Sequence, residues 1–218
     1  MKNIIFIAPP AAGKGTQSKL VSTEYNIPHI STGDLLRDEV SRGTKIGKSI
    51  KKVMESGSLV DDNIITELLK QRITKDDCKN GYILDGYPRT LNQAKIYSEL
   101  LEELKYPAGV VIFFDIDKER ALKRTLSRIV CSKCGSSYNL LVSELKPKKD
   151  GICDTCGEKL QVRADDTEEV FITRFDTYIN STKDLIDYYD KLGLLYRIQV
   201  LDKPASEIFD EVKKVLND

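Results

Sequence analysis

Gly13-Lys14-Gly15-Thr16 has the residue types and order that suit phosphate binding. In such a turn, backbone N–H groups and the start of a helix point at an anion, and the helix dipole adds to the attraction. Lys14 would reach the outer phosphates and Thr16 would face the metal side. An ordinary strand-to-helix turn is the plain alternative. The preceding "IAPPAA" carries Ala8 and Ala11 where phosphate loops usually hold glycine. Holding alanine in a left-handed conformation costs about 1–2 kcal/mol, so binding is expected to survive with an adjusted loop.

The arginines form a second pattern. Only ten of the 34 basic residues are Arg. Six of those ten stand beside other candidate positions: Arg37 after "STGDLL", Arg89 after "DGYP", Arg124 and Arg128 four apart, Arg163 and Arg174. A guanidinium binds phosphate oxygens in bidentate fashion, which lysine does not reproduce. The spacing of Arg124 and Arg128 predicts one shared helical face. Asp85 ends "YILD" and suits a magnesium-water role, with a turn-capping Asp before Gly86 as the alternative. No Ser-His-Asp set is evident, and His29, the only histidine, reads as packing. Phosphoryl transfer needs no such set, because positioning and charge neutralisation carry most of its catalysis.

A third pattern is "CSKCG" at 131–135 and "CDTCG" at 153–157, two knuckles separated by 18 residues. Cys131, Cys134, Cys153 and Cys156 fit a closed tetrahedral metal site with no open coordination position, zinc by ligand type. A redox pair is the rival reading. The metal would be structural, stapling a segment too short to build its own core. The fifth cysteine, Cys78, reads as a single buried thiol.

The elements that must position these residues alternate. "NIIFI" reads as a buried parallel strand, followed by a helix over 14–25. "IPHI" is a short strand, and "STGD" opens a helix with the Ser31-to-Asp34 capping-box spacing. "TKIGKSIKKVMESG" is helical up to Gly57, and Asp61 and Asp62 begin another helix. "YILD" and "GVVIFFD" are strands. Thr90 and Gln93 repeat the capping-box spacing, and "KERALKRTLSRIV" is expected to be one helix. A helix over about 167–191, the strand "YRIQVL" and a last helix with Pro204 in its first turn complete the chain. The alternation predicts a five-stranded parallel α/β sheet wound on both faces, interrupted by a loop-rich insertion at 131–165.

The length of 218 residues suits one main domain with a small inserted lobe. Lys plus Arg and Asp plus Glu are each 34, for a formal charge of zero, which speaks against a general polyanion binder. No apolar run nears the ~20 residues needed to span a bilayer, and no signal-peptide cleavage pattern follows "MKNIIFIAPP". Five cysteines without a disulfide framework point to the cytoplasm.

Together "GKGTQ", "ISTGDLLR", "GYILDGYPRTLNQA", the paired cysteines and "RADDTEEVFITR" resemble the adenylate kinase family, in its long form with a zinc-binding lid, across essentially the whole chain. The resemblance implies a P-loop NTPase-type core over 1–30, 61–126 and 165–218, an AMP-binding lobe over 31–60 and a lid over 127–164. It implies transfer of the terminal phosphoryl of Mg-ATP to AMP, giving two ADP. Ala11, Ala12, Gly13, Lys14, Gly15, Thr16, Arg128, Ser137, Tyr138 and Lys203 would contact ATP. Thr32, Arg37, Ser58, Leu59, Val60, Gly86, Tyr87, Pro88, Arg89, Gln93, Arg163 and Arg174 would form the AMP site. Lys14, Arg89, Arg124, Arg128, Arg163 and Arg174 would be catalytic, with Asp85 and Thr16 holding magnesium through water. Asp165 and Asp166 match the family's acidic pair where the lid returns.

Related UMP/CMP kinases share this arginine set but tend to carry alanine at the position of Thr32 and asparagine near Gln93, so the Thr-Gln pair favours AMP. A nucleic-acid-binding zinc ribbon on a P-loop domain is the reading from another class. Neutral charge and a single aromatic, Tyr138, between the outer cysteines oppose it. A GTP-driven switch would need base-reading and switch sequences that are not evident. Without heptads or an obvious apolar surface, a monomer is expected.

Overall fold

The computed structural model describes residues 2–55, 60–163, 166–201 and 203–217. In chain order the elements are β1 (Lys2–Ile7), α1 (Lys14–Tyr25), β2 (His29–Ser31), α2 (Thr32–Ser41), α3 (Lys45–Glu55) and α4 (Asp62–Ile73). There follow β3 (Gly81–Asp85), α5 (Leu91–Leu104), β4 (Val110–Asp115), α6 (Lys118–Leu126), β5 (Arg128–Cys131) and β6 (Ser137–Asn139). The chain ends with β7 (Leu160–Gln161), α7 (Glu168–Lys191), β8 (Leu195–Gln199) and α8 (Ala205–Asn217).

Five strands form the main sheet in the order β2-β3-β1-β4-β8. β2, β3, β1 and β4 pair in parallel, with Ile5 opposite both Leu84 and Val111. Val111 N–H donates to Leu194 O and Val200 N–H to Asp115 O, so β8 runs in the same direction. Successive strand residues face opposite sides of a sheet. Ile4, Ile5, Phe6 and Ile7 are all at most 4% exposed, so both faces at β1 are covered, as in a doubly wound fold.

Contacts divide the chain into two compact units. One comprises residues 1–7, 18–113 and 181–196, and the other 8–17, 114–180 and 197–218. Within the second, β6-β5-β7 make a small antiparallel sheet, so the segment read as loop-rich has its own short ladder.

Three local expectations are corrected. The helix expected over 118–130 stops at Leu126, and Arg128 lies on β5, so Arg124 and Arg128 do not share a helical face. The Ser127 hydroxyl bonds back to Lys123 O at 2.7 Å, while the β-branched Ile129-Val130 run pairs across the small sheet. Pro204 precedes α8 instead of occupying its first turn; its carbonyl accepts from Ile208 N–H. The second strand is three residues long, beginning at His29. Gly57, the expected stop after α3, lies outside the described residues.

Candidate active site

In the second unit the 11–16 loop is a turn followed by a helix start. Ala12 N–H donates to Pro9 O at 3.4 Å, closing a turn with Pro10 and Ala11 at its centre. Ala11 has φ +61°, and Pro followed by a residue of positive φ is the type II turn pattern. Pro10 thus sets up the conformation that phosphate loops usually assign to glycine. Ala8 has no such φ; it is buried as ordinary core. Gly13 has φ +90°, and its carbonyl accepts from Thr16 N–H at 3.0 Å and Gln17 N–H at 3.1 Å. Lys14 then opens α1. A shallow hollow open to solvent adjoins this loop. Gly13, Thr16, Arg124 and Lys203 are among the residues lining it.

Arg128, on β5, forms a fork to Asp166, with Nε 2.7 Å from Oδ2 and Nη2 on Oδ1. The Asp166 side chain is fully buried, so this member of the acidic pair fixes an arginine in place. A guanidinium has five N–H donors, so the Nη1 edge still points elsewhere. Arg163 and Arg174 are exposed, the latter on α7. Asp165 lies outside the described residues.

The cysteines also meet in this unit. Sγ atoms of Cys131, Cys134, Cys153 and Cys156 all lie within 4.8 Å of one another. Cys131 Sγ is 3.4 Å from Cys156 Sγ and Cys134 Sγ is 3.5 Å from Cys153 Sγ, both contacts crossing between knuckles. Four thiolates about 2.3 Å from a zinc ion would sit about 3.8 Å apart, close to what these sulfurs span, and far beyond the ~2.05 Å of a disulfide. Each knuckle closes identically: Gly135 N–H donates to Cys131 O and Gly157 N–H to Cys153 O, both glycines having positive φ. The Tyr138 hydroxyl lies 3.4 Å from Cys153 Sγ and pulls that thiol down to about 5, while Cys156 in the same cluster is pushed up to about 12. One thiolate therefore forms readily, and further ones need a cation to offset their repulsion. It also accepts from Asp154 N–H at 2.7 Å, so the Tyr138 hydroxyl faces the cysteines. Ser137 is exposed beside it.

In the first unit a second cluster is built on the β3 end. Gly86 has φ +85°, and a Cβ there would meet Thr32 Oγ1 at 2.9 Å and Arg89 Nη2 at 3.0 Å. Its carbonyl accepts from Thr32 Oγ1 at 3.0 Å and Arg89 Nε at 2.8 Å. The Tyr87–Pro88 bond is cis, and both residues are buried. Burial pushes the Tyr87 hydroxyl above its ordinary range; that hydroxyl lies 3.0 Å from Thr66 Oγ1. Thr90 caps α5 as its spacing predicts, accepting from Gln93 N–H at 3.2 Å. Gln93 does not complete the box at Thr90: its Oε1 accepts from Arg89 N–H at 2.7 Å and its Nε2 donates to Asp62 at 2.8 Å. Each end of that amide retains one further hydrogen-bonding position. Arg37 is exposed and pairs with Asp34, and Val60 is half-buried. Ser58 and Leu59 lie outside the described residues. His29 Nε2 lies 3.2 Å from Asp85 Oδ2, so the histidine read as packing adjoins the candidate magnesium ligand.

A family model described as adenylate kinase matches residues 6–194. An adenylate kinase of Methanothrix thermoacetophila is 44% identical over 215 residues, 99% of this chain and 98% of that protein. The chain belongs to the adenylate kinase family. Adenylate kinases of Thermosipho africanus and Archaeoglobus fulgidus are 42% and 44% identical, each over at least 97% of both chains. Family membership makes the enzyme a nucleoside monophosphate kinase with a P-loop core, and the four-cysteine cluster fits the family's long form. No helix among the described residues is long and apolar enough to cross a membrane.

Sequence reasoning missed three residues near these sites: Asp62, which holds the Gln93 amide, Asn139, and Glu144. Asp62 was legible only as a helix start, since its bond to Gln93 joins residues 31 apart.

Proposed function

We propose that this adenylate kinase transfers the terminal phosphoryl of ATP reversibly to AMP, yielding two ADP. The observation that carries the reading is the Gly13-Lys14 turn at the α1 N-terminus, in a chain matching adenylate kinases along nearly its whole length. Ala11, Ala12, Gly13, Lys14, Gly15 and Thr16 hold the ATP phosphates, with Arg128, Ser137, Tyr138 and Lys203 as further contacts. Thr32, Arg37, Ser58, Leu59, Val60, Gly86, Tyr87, Pro88, Arg89, Gln93, Arg163 and Arg174 receive AMP. Lys14, Arg89, Arg124, Arg128, Arg163 and Arg174 neutralise charge on the transferred group. No general base is required, because the accepting phosphate is already ionised at neutral pH.

Asp85 and Thr16 would hold Mg²⁺ through water, and the ion would neutralise phosphate oxygens. Cys131, Cys134, Cys153 and Cys156 would hold a structural zinc. The core over 1–30, 61–126 and 165–218, the lobe over 31–60 and the lid over 127–164 are the functional divisions, and the enzyme works as a cytoplasmic monomer without nucleic-acid or membrane partners.

Thr32 and Gln93 are the side chains that select AMP, and unpaired buried groups penalise a wrong base. A coupled ADP-production assay with AMP, UMP and CMP, run beside metal analysis, tests this. AMP should turn over fastest; faster turnover of a pyrimidine monophosphate overturns the choice of substrate.

A further inference from the structure

The cavity beside the phosphate loop has a wall that belongs to neither the loop nor α1. Val142 and Leu145 line it from the lid segment, facing the same hollow as Ala12, Gly13, Thr16 and Gln17. Both residues sit in a short stretch that is anchored at each end. At one end Asn139 Oδ1 accepts from Leu141 N–H at 2.9 Å and Val142 N–H at 3.2 Å. Asn139 Nδ2 donates to Arg124 O at 2.9 Å, tying the stretch to the last turn of α6.

At the other end stands Glu144, in a single helical turn over Ser143–Leu145. Its Oε2 accepts from Ala205 N–H at 2.9 Å and its Oε1 accepts from the Ser206 hydroxyl at 3.2 Å. A carboxylate on the orphan N–H groups of a helix start gains both charge-assisted hydrogen bonds and the helix dipole. The carbonyl of the same Ala205 accepts from Gln17 Nε2 at 2.9 Å. One residue at the head of α8 is therefore bonded to α1 on one side and to the lid stretch on the other. Ala205 and Ile208, from that same end of α8, also line the cavity. The carboxylate thus fastens two walls of one pocket to each other.

We propose that Glu144 is a positioning residue for ATP: by capping α8 it holds Val142 and Leu145 as a wall over the nucleotide, and so sets affinity on the ATP side alone. This rests on the placement of ATP against residues 11–16. Glu144 touches no reacting atom, so its effect belongs to KM for ATP and not to turnover.

The test is steady-state kinetics and calorimetric titration with ATP and AMP on the full-length, metal-loaded enzyme. Glu144→Ala should raise KM and Kd for ATP by about three- to tenfold, the fold-change that the net contribution of one ordinary hydrogen bond is worth, because the lost contact acts on the nucleotide only through the wall it positions. Values of kcat, and of KM for AMP, should stay within about twofold, because that step removes no group from the transition state. Glu144→Gln, whose amide oxygen still accepts from Ala205 N–H, should recover most of the loss. Ser206→Ala, which removes only the longer bond, should give a smaller shift in the same direction. A lowered melting temperature with an unchanged ratio of the two KM values would reduce Glu144 to a helix cap and overturn the proposal. Equal rises in both KM values would overturn it too. Lys14→Met separates the premise: if it leaves ATP affinity unchanged, the placement of ATP fails. If it abolishes ATP binding while Glu144→Ala has no selective effect, only the positioning role fails.

Discussion

The turn at residues 85–93 stands on Tyr82, Tyr87 and Tyr97, each at most 2% exposed. The segment from Cys131 to Gly157 instead buries only Cys131, Ser136, Asn139, Pro147 and Cys153. Both present side chains for chemistry, yet they are held by different forces. In the first, apolar burial fixes the backbone, and hydrogen bonds among Thr32, Gly86, Arg89, Gln93 and Asp62 then orient polar groups without desolvating them unpaired. In the second there is too little apolar area to offset chain entropy, so an ion held by the four sulfurs would have to supply the order. A core tolerates the loss of one polar contact, whereas a four-ligand centre depends on every ligand.

The two regions should part most strongly when any metal held by the four cysteines is removed. Structural zinc binds model peptides with about 10–16 kcal/mol. Chelation, or Cys153→Ser, should therefore lower the melting temperature and let amides of residues 128–161 exchange quickly, while those of 81–97 remain protected and some turnover persists in the cold. Hydrogen exchange read by mass spectrometry checks this; full activity loss with an unchanged melting temperature would contradict it. Thiol titration of the stripped enzyme should find the cysteines of the opened 128–161 segment reactive, whereas Cys78 should stay silent, because it is fully buried in the core and burial pushes its thiol up to about 11.

Next in size is Arg89→Ala, which removes a guanidinium proposed to face the transferred group. It should cost about 10²–10³ in kcat, with Lys a poor substitute because it lacks the planar fork. Retention of a near-normal kcat would remove Arg89 from the mechanism. Gly86→Ala should come third, at about 1–3 kcal/mol of stability, since φ is +85° and the new methyl meets Thr32 Oγ1 at 2.9 Å. Urea midpoints measure it, and KM for AMP should rise as Thr32 and Arg89 are displaced.

The smallest effect is expected at Ala11→Gly. Relief of the left-handed alanine, worth about 1 kcal/mol, is largely offset by glycine's extra freedom in the unfolded chain, about 0.4–1 kcal/mol. Stability and KM for ATP should both shift only slightly. A change of several orders of magnitude in KM would show that the Pro10-Ala11 turn is no substitute for a glycine loop.

Much of the site was legible because its signals are local. GKGT between a strand and a helix, the CxxC-Gly knuckles and the Thr90 cap are short-range patterns, and each takes its expected shape. The C-terminal end of α6 was not legible. "KERALKRTLSRIV" has the propensity to continue as a helix, but pairing of β5 with β6 and β7 outweighs it and moves Arg128 onto a strand. The fork from Arg128 to Asp166 replaces the helical-face argument for that arginine. His29 beside Asp85 was hidden for a related reason: parallel pairing of β2 and β3 places residues 56 apart in contact.

By itself the sequence determined the alternation of strands and helices, the phosphate-loop turn, the four-sulfur site and the family. Hydrophobic periodicity, proline and glycine geometry and ligand spacing all act over a few residues. Only the tertiary structure decided which partners those residues take: Gln93 turned to Asp62, Tyr138 to Cys153, Glu144 to the head of α8. Hydrogen-bond partners distant in sequence are chosen by how the packed elements bring them within 3 Å or so, a distance no local pattern encodes.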